Sequence, residues 1–276
     1  MNFALESSLS FIIVFAGLSS LFLQRANFLN VVLLVAIFIL FTIFSFYFVK
    51  KLKDTPFLNA VKITLAVISS AFSLYFAANV AIESGLLQKE FYPLVLVTTS
   101  LLPVCAMLSD KIPIKNISFI CTTLAVAVFI IICVLSIVDT EFSKPILVKP
   151  DFKNILPFLY FSVFDIVFLL CKSKNKTPLA YVFGGALAFG FYLVFILIAK
   201  SVLSYDVYIS LEMPLLRLWQ STFITSFVNR FEVIAMSFVY LLCALKSGII
   251  LKFADCKNTF AIITAMLIIA ALLSFL

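Results

Sequence analysis

A single carboxylate, Asp165, stands in the otherwise uncharged run of residues 158–170. Placing an Asp at the centre of a membrane helix costs roughly 2.5–3.5 kcal/mol, which the apolar stretch 166–170 offsets. Such a residue must face protein or a water-filled cavity. Its charged form is disfavoured unless a cation or several donors lie close, and its own run supplies no cation. The partner has to come from another helix, from a ligand or from water. The side chain could contact a ligand cation or carry a coupling proton; the alternative is a structural hydrogen bond to a neighbouring helix. Pro157, eight residues earlier, can break the same helix. A broken helix beside an acid is a common transporter-site construction. Asp165→Asn is expected to insert at least as well as the parent, because an amide is cheaper in the membrane.

Two further groups carry polar chemistry. Gly17, followed by Ser19 and Ser20, sits in the first apolar run. Small residues there allow local unwinding or close helix packing. Asn229, Arg230 and Glu232 form the other group. Arg230 and Glu232 are two apart, so on a helix they point to different sides and cannot pair. Their depth depends on where that helix ends. If it reaches Lys252 they sit at the outer interface; if it ends at Lys246 they are drawn into the membrane. Asn79, Gly184, Gly185 and Gly190 read as packing positions.

Enzyme chemistry finds little support. The chain has no His, which removes the commonest general base and metal ligand. Six Cys occur without a CxxC pair, mostly inside apolar runs, where Cys behaves as a small hydrophobe. No HExxH, G-x-S-x-G, Walker or dinucleotide-binding motif is present. The reading is a non-enzyme without metal or cofactor.

The elements that position these residues follow from composition. Apolar residues make up 64% of 276 and charged residues 12%, with 33 Phe, against roughly 45–50% and 25% in soluble domains. A soluble fold of this size cannot bury that load. About 20 apolar residues cross a bilayer, which predicts one transmembrane domain over 1–276. Its spans fall near 7–24, 28–49, 57–82, 91–109, 116–138, 154–171, 178–199, 228–251 and 259–276. The first is read as a retained span, since Glu6 stands where a signal peptide would be basic. Alternate loops divide the lysines and arginines 10 to 7, the richer set being Lys50, Lys51, Lys53, Lys111, Lys115, Lys172, Lys174, Lys176, Lys252 and Lys257. Those loops are expected to be cytoplasmic, with the N-terminus. Lys62 lies near a span end, where it can snorkel. The net charge of +7 then serves orientation, not nucleic-acid binding. On the outer side, 139–153 is a polar loop. Residues 205–227 include an amphipathic stretch around Trp219 that can lie on the membrane face or cover a pocket.

The order of the second half is distinctive: Pro145 and Pro150, then Asp165 followed by Lys172, Lys174 and Lys176. A glycine-containing span comes next, then Met213-Pro214-Leu215-Leu216-Arg217, then Phe227-Val228-Asn229-Arg230-Phe231-Glu232. It resembles the B subunit of spore germinant receptors, the GerAB-type permeases of the amino acid–polyamine–organocation superfamily, most strongly over 144–254. The resemblance implies an all-α, LeuT-like inverted-repeat bundle, with two five-helix halves and broken first and sixth spans holding a small polar ligand at mid-membrane. It also implies a multi-pass subunit of the spore inner membrane. Such a subunit senses or transports an amino acid, sugar or nucleoside beside A- and C-type receptor subunits. The other reading is a non-transporting scaffold or accessory subunit. Against the family pattern, nine spans are read where ten are usual, Asn229 stands where an acid is usual, and the first span ends in Gln24-Arg25. On this reading Gly17, Ser19, Ser162 and Asp165 line one ligand cavity between the first and sixth spans. Arg217, Asn229, Arg230 and Glu232 take structural or gating roles.

Overall fold

The computed structural model describes residues 2–18, 28–51, 55–84, 88–108, 113–138, 159–174, 177–202, 229–254 and 259–274. All regular structure among them is helical. In chain order the helices are α1 (Asn2–Leu18), α2 (Phe28–Val49), α3 (Pro56–Glu83), α4 (Tyr92–Leu108) and α5 (Ile114–Val138), then α6 (Ile166–Cys171), α7 (Leu179–Val202), α8 (Asn229–Phe253) and α9 (Thr259–Leu273). A 3-10 turn, Lys89–Phe91, leads into α4, and a π-helical segment, Leu159–Phe164, leads into α6.

Five stretches are long and apolar enough to cross a membrane: Phe28–Val49, Pro56–Ile82, Ile114–Val134, Leu179–Ile198 and Ile234–Phe253. Shorter apolar helices accompany them at Phe3–Leu18, Tyr92–Ala106, Leu159–Cys171 and Phe260–Leu273. Proline opens several helices, where its missing N–H costs nothing. Pro56 is in the first turn of α3 behind Thr55, whose hydroxyl accepts from the Leu58 amide at 3.2 Å. Pro113 and Pro178 stand immediately before α5 and α7, and their carbonyls accept from the first turns.

The distribution of side chains is that of a membrane-embedded protein. Leu40, Phe44, Phe57 and Phe260 face outward, while Ser10, Ser69, Asp165, Lys246 and Ser247 are buried. A large outward apolar surface, over an interior that also holds buried polar and charged groups, needs lipid as solvent. Helix α1 is the hub: every residue from Glu6 to Leu18 is buried. Phe11 and Phe15 stack on each other, Phe15 stacks on Phe129 of α5, and Phe129 meets Phe195 of α7 edge-on. A second, smaller core joins α3, α4 and α9 around Leu74, Val95 and Met266.

Close approach is set by small residues. A Cβ on Gly184 would overlap the Ser7 backbone of α1, and one on Gly185 would overlap the Phe38 ring of α2. Adjacent glycines thus seat two different helices on α7. Gly190 departs from the packing role expected of it: the space beside it is open. The helix pairings show a regularity. Helix α1 packs on α7 and α2 on α6; α3 packs on α9 and α4 on α8; α2 meets α7, α3 meets α8, and α4 meets α9. Adding five to each of the first four helix numbers maps these seven pairings onto themselves, whereas α1–α8, α3–α4 and α6–α8 have no counterpart of similar extent.

Candidate functional site

Helix α6 changes its winding at Asp165, between the π segment and the regular turns that follow. π-Helical turns are rare and concentrate at functional sites, because the wider winding re-aims backbone groups. Here the Phe161 carbonyl is aimed at α8, where it accepts a hydrogen bond from the Lys246 ammonium. The same ammonium lies 2.7 Å from Asp165 Oδ2, with the two side chains 1% and 2% exposed. Ser69 of α3 donates to that carboxylate oxygen at 2.6 Å. The Phe161 ring packs on Phe72 of α3 at 4.5 Å between centroids and stands 5.9 Å from the Lys246 ammonium.

A fourth helix closes the group. A Cβ on Gly17 of α1 would overlap the Phe161 carbonyl and come within 2.6 Å of Ser162 Cα. Only glycine lets α1 and the π segment touch backbone to backbone. Four helices, α1, α3, α6 and α8, therefore converge on one buried ion pair.

Magnitudes decide what that pair does. At 2.7 Å the attraction is roughly 6 kcal/mol for an effective dielectric constant of 20. Taking each ion out of water costs several kcal/mol. The two nearly cancel, so the pair contributes little net stability while making either partner costly to remove alone. This changes the expectation for Asp165→Asn. The amide is cheaper to insert, but it leaves Lys246 buried without its counter-charge. Chemically, a paired carboxylate and ammonium can exchange partners with a proton or with a ligand carrying the opposite charges.

The expected site residues fall as follows. Gly17, Ser162 and Asp165 are brought together, all buried. At Gly17 itself the first and sixth spans touch backbone to backbone, so the expected cavity does not pass between them at that point. A cavity that reaches Asp165 lies between α2, α3 and α6, with a volume of about 660 Å³. Ser19 and Arg217 lie outside the described residues, as do Pro157 and the segments 139–153 and 205–227. Asn229, Arg230 and Glu232 occupy the first turn of α8, and their side chains lie outside the described residues. Helix α8 continues to Phe253, so it does not end at Lys246. The three residues stand at the far end from Lys252, about 25 Å from Lys246 along the helix.

Two residues of the site, Lys246 and Ser69, were not singled out from sequence. Lys246 precedes Lys252 by six residues and reads as a span end. The usable signal was Asp165 itself, whose need for a counter-charge from another helix points to the lone cation in the apolar run of α8. Every residue from Leu242 to Leu251 is buried, Lys246 included.

A second polar contact ties down the start of α1. Glu6 lies outside the span expected from sequence, yet α1 begins at Asn2 and buries it. Its carboxylate accepts from the Tyr181 hydroxyl of α7 and stands 3.6 Å from Lys115 of α5. Ser10 donates to the Tyr181 carbonyl at 2.6 Å.

Among the described residues, no group of three or more His, Cys, Asp or Glu side chains comes together as a metal site. No protein-family model matches the chain, and no curated protein matches it significantly.

Proposed function

We propose that this protein is a permease-like membrane subunit that binds or transports a small polar nutrient. With the resemblance in its second half, the proposed role is that of a germinant-sensing subunit of the spore inner membrane, working with A- and C-type partners. The observation that carries the reading is the buried Asp165–Lys246 pair at the winding change of α6. A buried ionisable pair inside a membrane bundle is expensive and marks a substrate or proton path more often than a packing device. A free amino acid has the complementary charges: its ammonium replaces Lys246 at Asp165, and its carboxylate takes Lys246. A coupling proton on Asp165 is the other way to open the pair.

Nine crossings and a LeuT-like inverted repeat belong to the same proposal. Seven of the helix pairings support it, since adding five to the first four helix numbers exchanges them among themselves, as two repeated halves would require; α1–α8, α3–α4 and α6–α8 fall outside that pattern. The close approach of α1 to α6 through Gly17 supports the same arrangement. The scaffold reading also has a specific observation in its favour: the pair satisfies its own charge, and α1 is closed against Phe161. Equilibrium binding of radiolabelled amino acids, sugars and nucleosides to the purified protein separates the two. Saturable binding by one class supports the permease reading. Absence of binding across the panel, with folded protein, favours the scaffold.

A further inference from the structure

The cavity between α2, α3 and α6 has the make-up of a site for an anionic amphiphile. Three lysines gather at one end: Lys50 just after α2, Lys62 in the second turn of α3 and Lys172 just after α6. Beyond them the wall is apolar, with Val61, Leu65 and Phe164, and the inner end reaches Asp165. Those three wall residues are 38%, 39% and 44% exposed, so the apolar wall of the cavity is open rather than sealed inside the bundle. From Lys172 to Asp165 the helix rises about 10 Å. An occupant must therefore join a negative head to an apolar body at least that long. A soluble anion would match the lysines and leave the apolar wall unfilled. The volume of about 660 Å³ lies in the usual range for sites that enclose small organic groups.

We propose that this cavity binds an anionic phospholipid from the lysine-rich leaflet. Its phosphate lies among Lys50, Lys62 and Lys172, and one acyl chain runs past Val61, Leu65 and Phe164 toward Asp165. Basic pockets between membrane helices on the cytoplasmic side bind anionic headgroups in this way, and the lysine-rich side is the cytoplasmic one by loop charge. The lipid then sits against the turn of α6 that carries the buried carboxylate. The proposal does not depend on the nutrient reading, because lipid retention and nutrient binding are measured separately.

The test is native mass spectrometry of the full chain, purified in detergent and offered phosphatidylglycerol or phosphatidylcholine. The parent protein should retain phosphatidylglycerol in clear preference. Lys62→Gln should weaken that retention about fivefold, the contribution of one lysine near anionic lipid, and Lys62→Arg should restore it. Lys62 lies within a helix, outside the loop charges that set orientation, so the substitution leaves topology intact. Leu65→Trp should block the acyl path and lower retention with every lysine in place. Lys51→Gln, beside the cavity but not lining it, should change nothing. Equal retention of the two lipids, or a preference indifferent to both Lys62→Gln and Leu65→Trp, would overturn the proposal. Displacement of phosphatidylglycerol by millimolar inorganic phosphate would assign the cavity to a soluble anion and overturn it as well.

Discussion

Neutralising one member of the buried pair should be far more damaging than neutralising both. Lys246 and Asp165 are 1% and 2% exposed and 2.7 Å apart, so neither charge has water to fall back on. Asp165→Asn leaves the ammonium with the Phe161 carbonyl and an amide. Lys246→Met leaves the carboxylate with Ser69 alone among the contacts described above. Stranding a buried charge in this way costs about 3–5 kcal/mol. The combined Asp165→Asn/Lys246→Met variant buries no net charge, and it should fall within about 1 kcal/mol of the parent or exceed it. The cycle therefore predicts strong non-additivity, as expected for residues in direct contact. Reversible unfolding in lipid bicelles, followed by steric trapping or by denaturant, measures all four proteins. Single variants that each lose less than about 1 kcal/mol would refute the buried-pair reasoning, as would a double variant whose loss equals the sum of the singles.

Other consequences are sharper in sign than in size. Gly17→Ala must displace the Phe161–Ser162 backbone and should cost about 1–3 kcal/mol by overpacking. Gly190→Ala, with open space beside it, should be tolerated; the same unfolding assay compares the two. Tyr181→Phe removes the hydroxyl that donates to buried Glu6 and should lower stability by about 1–3 kcal/mol, read as earlier proteolysis within α1. Loop charge predicts that cysteines introduced at Lys51 and Lys174 react with impermeant maleimide only from the cytoplasmic side; labelling from opposite sides would break the topology.

Helix positions were legible where apolar runs are long and bounded by charge or proline. Helix α2 spans Phe28–Val49, the limits of its apolar run, and α3 begins at the Thr55-Pro56 signal. The start of α1 was not legible, because Glu6 reads as solvent-facing until Tyr181 of a distant helix is known to donate to it. Asp165 was conspicuous because an isolated acid in hydrocarbon has no local explanation. Lys246 was hidden for the opposite reason: a lysine six residues before another lysine looks like the end of a span. Pairing the two requires α6 and α8 to be adjacent, which no local pattern encodes. The cavity beside Asp165 was equally out of reach, since it depends on α2, α3 and α6 standing together.

Ligand binding to the charge-neutral double variant tests the central claim most directly. Removing both charges preserves the fold but abolishes any site built on the Asp165–Lys246 pair. Equilibrium binding of the panel to the parent and to Asp165→Asn/Lys246→Met should show saturable binding of a small zwitterion to the parent and its loss, at least a hundredfold (about 2.7 kcal/mol), in the folded double variant. Equal affinity in both proteins would contradict the account and leave the pair a structural feature.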